Sequence, residues 1–217
     1  PYTNTYIVIA ASYLAMLDGI KAVVRSGKST KEILAELSKD AGTSGFYLET
    51  DRAYRSEHDV FEDYTAEERD RLFGKPPATV WENMQALKKY PEKVAVLKNG
   101  NVLRQELIDA FVAGALIRWK TELLKRIIPE NLEIVKRCKS LHTADSTIDY
   151  DLYLWNKINA LRTYLAKDRV DQKGIFTRIN EALAADDCDA ASQLQIEMYQ
   201  KMEELKALYA EYKRNII

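Results

Sequence analysis

The sequence has few of the residues that interrupt helices and few that bind metals or form disulfides. Its 217 residues include only 8 Gly, 5 Pro, 2 Cys and 2 His. Glycine and proline are the two residue types least compatible with a helix interior, so their scarcity favours helix over turn-rich β architecture. Cys138 and Cys188 lack metal-ligand spacing and are too few for a disulfide framework. A single disulfide between these two residues is one alternative, and a reduced cytosolic protein is the simpler interpretation.

The chain also lacks an excess of either charge. It has 32 Lys and Arg against 33 Asp and Glu, a net charge of −1. Binding to nucleic acid or to an anionic membrane normally requires a basic field, so we predict neither kind of partner. The composition is 47% hydrophobic and 30% charged, which is typical of a folded globular protein. We predict a cytoplasmic location.

The opening segment is strongly apolar. Residues Pro1 to Leu17 have no basic leader of the signal-peptide type, and they are fewer than the ~20 apolar residues that cross a bilayer. The pattern predicts a helix from about Asn4 to Val24 that is apolar nearly all round. Such a helix is expected to be covered on every side.

The rest of the chain shows helical spacing with two interruptions. Residues 41–61 have no helical period and predict a loop with at most a small β-hairpin, whereas residues 143–147 predict a junction between two subregions. Further helices are expected to start near Ser29, Thr65 and Thr79. A long helix is expected from Leu103, which Pro129 kinks or restarts and which then continues to Leu141. Three more are predicted over about residues 148–166, 174–185 and 190–215. We therefore predict an all-α or nearly all-α helical bundle, with its longest helix in the last third.

Candidate chemical sites are sparse. His58 lies among Glu57, Asp59, Glu62 and Asp63, a cluster that could hold a divalent cation, although a solvated acidic loop is the favoured interpretation. His142 is expected at the end of a helix, where a cationic side chain suits the dipole.

Two further patterns imitate binding motifs. The run Arg25-Ser26-Gly27-Lys28-Ser29 contains Gly-Lys-Ser but lacks the upstream glycine and strand of a phosphate-binding loop, so it predicts a helix terminus. Tyr150, Tyr153 and Tyr164 interleave with Asp149, Asp151 and Asp168, whereas a base-stacking platform comes with a basic groove, so they predict helix packing with the hydroxyl reaching water.

Two blocks of the sequence resemble one enzyme family. The first is Asn4-Thr5-Tyr6-Ile7-Val8-Ile9-Ala10-Ala11 leading to Leu17-Asp18-Gly19-Ile20-Lys21. The second is Thr79-Val80-Trp81-Glu82-Asn83-Met84-Gln85-Ala86-Leu87, followed by Gly100-Asn101-Val102-Leu103 and Glu106-Leu107-Ile108-Asp109-Ala110-Phe111. Their order and spacing are similar to the closing helices of glutamine synthetases, and together they cover roughly Pro1 to Lys120.

The resemblance implies a part of an enzyme rather than a complete one. Glutamine synthetases ligate ammonia to glutamate with ATP and divalent ions, Mg²⁺ or Mn²⁺, and their ligands for these would lie upstream of Pro1. The resemblance therefore places no catalytic, cofactor-binding or metal-binding residue in this chain, and we expect it to be inactive alone. Residues 1–142 would be the C-terminal portion of the catalytic domain and residues 146–217 an appended helical extension.

The expected partners follow from the same resemblance: the rest of the catalytic domain and further copies of the chain in a homo-oligomer. The first helix would either pack against Leu107, Phe111 and Trp119 or leave an exposed apolar patch. We expect an oligomer in which Ile7, Ile9, Leu14 or Leu17 of that helix lies at or near an interface.

The end of the chain suggests an alternative. The segments Ile179-Asn180-Glu181-Ala182 and Asp186 to Gln195 resemble the helical hairpins of interaction modules in DNA-repair proteins. A purely structural hairpin is the commoner occurrence of such a pattern. The alternative function is a free-standing helical protein-interaction module without catalytic activity.

Overall fold

The computed structural model describes residues 4–37, 59, 61–143, 145 and 147–216. Throughout that part of the chain the regular structure is helical and no strand occurs, which confirms the predicted all-α class. The hairpin considered for residues 41–61 falls almost wholly outside the described residues, of which only 59 and 61 belong to that segment.

The chain divides into two compact units. The N-terminal unit comprises Pro1–Pro77 and Ala86–Asp109, and the C-terminal unit comprises Ala78–Gln85 and Ala110–Ile217. The junction expected between His142 and Ser146 is therefore a connection inside the C-terminal unit. The physical reason is local: the backbone N–H groups of Leu141 and His142 both donate to the hydroxyl of Tyr212, which binds the connection to the last helix.

The N-terminal unit is built around its first helix, α1 (Thr5–Ser26). The side chain of Asn4 accepts hydrogen bonds from the backbone of Tyr6 and Ile7 and so caps the helix, and Gly27 ends it at a φ of 64°, which glycine adopts without strain. The helices that follow are α2 (Thr30–Leu37), α3 (Ala66–Phe73), α4 (Val80–Lys89), which crosses into the C-terminal unit, and α5 (Pro91–Leu97).

The C-terminal unit is a helical bundle. Its elements are α6 (Gln105–Glu122), whose residues up to Asp109 belong to the N-terminal unit, a π-helical turn (Leu123–Ile127), α7 (Ile128–Arg137), α8 (Asp149–Ala166), α9 (Ile175–Ala184) and α10 (Cys188–Asn215). At 28 residues α10 is the longest described helix, as predicted, and it packs along both α8 and α9. The core that they share includes the fully buried side chains of Ile158, Leu165, Ile179, Met198 and Leu205.

The sequence places Pro91 just after the end of α4 and a kink or restart of the long helix at Pro129, and both expectations are confirmed: α4 ends at Lys89, and α7 starts beside Pro129 after a π-helical turn. Pro91 begins α5, and Pro129 lies in the first turn of α7. A first-turn residue needs no intrahelical N–H bond, which makes the start of α5 tolerant of proline. Pro129 differs, because Ile127 and Ile128 before it already have helical dihedrals and the backbone runs from the π-helical turn into α7. The preceding π-helical turn widens the helix just before Pro129, and α7 ends at Arg137 rather than near Leu141.

Candidate functional site

The most distinctive surface of the molecule is an exposed apolar face on α1. Every one of its six residues is at least 37% exposed, with Tyr6 at 83%, and they recur at alternating intervals of three and four residues. This is the spacing of the a and d positions in a coiled-coil helix. We name this face the α1 stripe, and it consists of Tyr6, Ile9, Tyr13, Met16, Ile20 and Val23.

The charged residues of α1 lie on its other side. Leu14 is buried, and α5, whose Val94 is also buried, packs on α1. Asp18, Lys21 and Arg25 follow Leu14 at intervals of four, seven and eleven residues, which places them on the same helical face as Leu14. The α1 stripe is therefore free of charge over almost the whole length of the helix.

The expected interface residues divide between these two faces. Ile9 and Leu17 are exposed, Ile7 is half-buried, and Leu14 is buried, so Leu14 belongs to the packing of the unit itself. Sequence reasoning treated α1 as apolar all round and missed the stripe, although its three-four spacing is readable from the sequence.

The residues expected to cover α1 do not form one surface. Leu107 and Phe111 are exposed, whereas Trp119 is buried in the core of the C-terminal unit. The indole N–H of Trp119 donates to Oε1 of Gln195 at 2.7 Å, and its ring stacks on that of Trp81. Trp119 is thus part of the core of the C-terminal unit.

The length argument against a membrane span does not hold. The helix has 22 residues, not the 17 counted from Pro1 to Leu17, and by length and composition alone it could cross a membrane. Its Asp18 and Lys21 oppose that use, because a charged side chain near the bilayer centre costs about 2.5–3.5 kcal/mol on insertion scales.

The second family-like block contributes a polar connection in the C-terminal unit. Residues 78–85 join the start of α10 through two hydrogen bonds. Thr79 Oγ1 lies 2.6 Å from Ser192 Oγ, both residues being buried, and the Trp81 indole donates to Asp189 Oδ1 at 2.6 Å. These bonds satisfy polar groups within a packed interface and leave no nucleophile beside a base, so they position helices rather than perform chemistry.

His142 is part of an aromatic cluster rather than a helix end. The buried Tyr212 hydroxyl accepts N–H bonds from Leu141 at 2.9 Å and His142 at 3.1 Å, and it lies 2.6 Å from His142 Nδ1. With two N–H donors already on its oxygen, the phenol can still direct its own proton toward Nδ1. The imidazole thus secures the C-terminal end of α10.

The acidic cluster proposed around His58 is only partly described, because His58 and Glu57 lie outside the described residues. Asp59 Oδ1 accepts from the backbone N–H of Phe61 at 2.7 Å and of Glu62 at 3.3 Å, so its carboxylate caps a turn. Among the residues that the structure describes, no group of three or more metal-ligating side chains converges.

The two cysteines are free and buried. Burial raises the pKa of the Cys138 thiol, which keeps it protonated and unreactive at neutral pH. The Gly-Lys-Ser run lies where α1 ends, and the Gly27 N–H donates to the Val24 carbonyl at 3.4 Å, as expected of a helix terminus.

Comparisons of the chain with protein-family models, with curated proteins and with solved structures gave no significant match. The site assignments above therefore stand on the geometry of this chain.

Proposed function

We propose that this chain is the C-terminal part of a glutamine synthetase, in which it has a structural and assembly role. The parent reaction would be the ATP-dependent ligation of ammonia to glutamate, with Mg²⁺ or Mn²⁺. The observation that carries the assembly role is the uncharged, exposed α1 stripe. An apolar surface of this kind on a folded protein normally marks an interaction site.

The resemblance supports one occupant for that stripe, the remainder of the catalytic domain. The first family-like block, Asn4 to Lys21, coincides with α1, so the resemblance and the exposed surface fall on one element. In the isolated chain a second copy would cover the stripe. Burying several large side chains contributes about 1.5–3 kcal/mol each, enough to favour a dimer.

The association is tested with charge substitutions on the stripe. We expect light scattering to show an oligomer for the unmodified chain and a monomer for the Ile9→Lys/Ile20→Lys double variant, because the lysines would have to be buried. The matched control is Ser12→Lys/Ala15→Lys, which adds the same charge at exposed positions of α1 outside the stripe. A monomeric unmodified chain at high concentration, or equal dissociation in both variants, would contradict the assembly role.

The family assignment needs its own test. We expect no release of phosphate from ATP in the presence of glutamate, ammonia and Mg²⁺, because the resemblance places the ligands for ATP and metal upstream. Turnover by the isolated chain would refute the fragment assignment. The reading frame upstream of the Pro1 codon provides a second test, since it should continue into acidic metal ligands and an arginine-bearing strand.

A second candidate function is a free-standing interaction module. It is favoured by the C-terminal unit, whose α8, α9 and α10 enclose a continuous core of their own. A start codon close to Pro1 together with a monomeric C-terminal bundle would support this candidate over the first.

The stripe also offers a test of membrane binding. Uncharged phosphatidylcholine vesicles would retain the unmodified chain, and would release the Ile9→Lys/Ile20→Lys variant, if lipid were the true occupant. We expect no co-sedimentation of either protein, and retention would overturn the protein-partner proposal.

A further inference from the structure

A second surface, distant in sequence from α1, carries a concentration of positive charge. A depression of about 660 Å³ lies between α8, the loop that follows it and α10. Its lining contains five cationic side chains and a single carboxylate, that of Glu204. The cations are Lys157, Lys167, Arg169, Lys173 and Lys201.

The cations of this depression are incompletely neutralised. Lys201 pairs with Glu204 at 2.9 Å, Arg169 pairs with Asp171 at 2.9 Å, and Lys173 pairs with Glu181. For Lys157 and Lys167, no carboxylate of the described residues lies within ion-pair distance, and the Lys157 ammonium rests 4.3 Å from the centre of the Tyr153 ring. Two positive charges therefore remain at the depression of a chain whose overall charge is −1.

The loop that supplies three of the cations is held in place. Asp168 accepts hydrogen bonds from the Gly174 N–H at 2.9 Å and the Thr177 hydroxyl at 3.1 Å. The Arg169 N–H donates to the Gln172 carbonyl at 2.8 Å, closing a turn. A Cβ at residue 174 would approach the Leu165 carbonyl oxygen to 3.1 Å, which is tighter than an ordinary contact, so the close approach of loop and helix favours glycine. The loop thus presents its cations in a defined arrangement.

The uncharged polar groups of the lining are amide and hydroxyl groups that can donate hydrogen bonds. Asn156, Asn159, Gln172 and Thr163 all contribute to the surface. Asn159 Oδ1 already accepts a bond from Arg162 at 3.1 Å, which leaves its NH₂ group for a ligand. Ammonium groups and N–H donors are the partners that phosphate oxygens require.

We infer that this depression binds a small, multiply charged oxyanion of the oligophosphate class. Its volume lies in the range of small-molecule sites, about 300–1,000 Å³. Asp171, Glu181 and Glu204 accompany the cations, so the positive field is too local for the continuous basic groove of a nucleic-acid site. The inference does not depend on the proposed function, because all of its residues belong to the C-terminal unit.

The sequence did not reveal this site, because its cations come from three separate segments and the net charge conceals them. Only the packing of α10 along α8 brings Lys201 to the same surface as Lys157 and Lys167.

The test is calorimetric titration of the full chain with inorganic tripolyphosphate at near-physiological salt. We expect saturable binding, weakened about tenfold or more in Lys157→Gln/Lys167→Gln, since each charge-assisted hydrogen bond contributes appreciably. The matched control is Lys136→Gln/Lys206→Gln, which removes the same charge from two lysines paired with Glu133 and Glu203 outside the depression. The control should bind within about twofold of the unmodified chain.

Two outcomes would overturn the inference: no saturable binding by the unmodified chain, or equal weakening in both variants. All four substituted lysines are surface residues, and matching thermal unfolding curves would verify that both variants are folded. A parallel titration with ATP distinguishes the source of the phosphates. Tighter binding of ATP than of tripolyphosphate would identify a nucleotide site, and equal or weaker binding would identify a site for free oligophosphate.

Discussion

The two units of this chain bury their apolar residues to very different degrees. Among the described residues of the N-terminal unit, the buried apolar side chains are Leu14, Ile33, Val94 and Leu103. In the C-terminal unit one continuous core extends from Trp119 through α7, α8 and α9 to Tyr212 of α10. Because burial of apolar surface is the main favourable term in folding, the C-terminal unit should account for most of the stability. The N-terminal unit instead leaves the apolar α1 stripe exposed.

The largest expected effect tests this contrast with one substitution made at two positions. Ile158→Ala, in the fully buried part of α8, should reduce the free energy of unfolding by about 2–5 kcal/mol, because it removes packed methyl groups and leaves a cavity. Ile20→Ala, on the 60%-exposed α1 stripe, should change it by less than about 0.5 kcal/mol in dilute solution. Urea unfolding followed by circular dichroism measures both.

If Ile20→Ala lowers the free energy of unfolding as much as Ile158→Ala does, the contrast between the two units is wrong, because the α1 stripe is then covered within the folded chain. Repeating the urea unfolding at high protein concentration tests whether copies of the chain cover the stripe. There the cost of Ile20→Ala should rise if the stripe is buried between copies.

A smaller effect is expected from a buried hydroxyl of the C-terminal unit. Tyr212→Phe removes the acceptor for the N–H groups of Leu141 and His142 and should cost about 1–3 kcal/mol, because these donors lose their partner in a partly buried place. Tyr199→Phe is the control, since Tyr199 is exposed and its hydroxyl lies 3.4 Å from Gln195 Nε2. Thermal unfolding of the two variants should differ clearly. Identical curves would show that the connection after α7 is not secured by Tyr212.

The smallest expected effect concerns a surface ion pair. Lys120 holds the pKa of Asp186 below its ordinary value of 3.8 through a hydrogen bond and its charge. A carboxyl whose pKa is lower in the folded state stabilises the fold above its unfolded pKa, and this contribution disappears as the pH falls through the folded pKa. Acidification below pH 3.8 should therefore destabilise the unmodified chain slightly more steeply than Asp186→Asn.

Asparagine is a suitable replacement at this position, because Asp186 has a φ of 58° and asparagine tolerates the left-handed region. The measurement is the free energy of unfolding as a function of pH. Lys120→Gln should reduce the loss of stability at acidic pH in the same way as Asp186→Asn. If both variants lose stability at acidic pH as steeply as the unmodified chain, the ion pair contributes nothing to stability.

Local features were the most predictable part of the fold. Asn4 caps α1, Gly27 ends it, and α4 spans Val80–Lys89 as expected, because caps, stop residues and the 3.6-residue period depend on neighbours in the chain. Pro91 follows the end of α4 and Pro129 accompanies the restart of the long helix, as expected, but Pro91 also begins α5, which was not predicted. The residue type alone does not say on which side of a proline the helix lies.

The candidate surfaces were less predictable. The three-four spacing of the α1 stripe is local, but its exposure depends on which face of α1 packs against α5. The basic depression combines Lys157 of α8, Lys167 of the loop and Lys201 of α10, and no local pattern joins residues so far apart in the chain.

The sequence by itself determined the helical class and most of the helices, because helix propensity, capping and apolar periodicity act over a few residues at a time. Only the tertiary structure decided which apolar residues are buried and which are exposed. Ile20 of α1 and Ile158 of α8 both belong to helical patterns of apolar residues, yet Ile20 is exposed and Ile158 is fully buried. Burial depends on the partner that each helix meets, and that partner is set by long-range packing rather than by neighbouring residues.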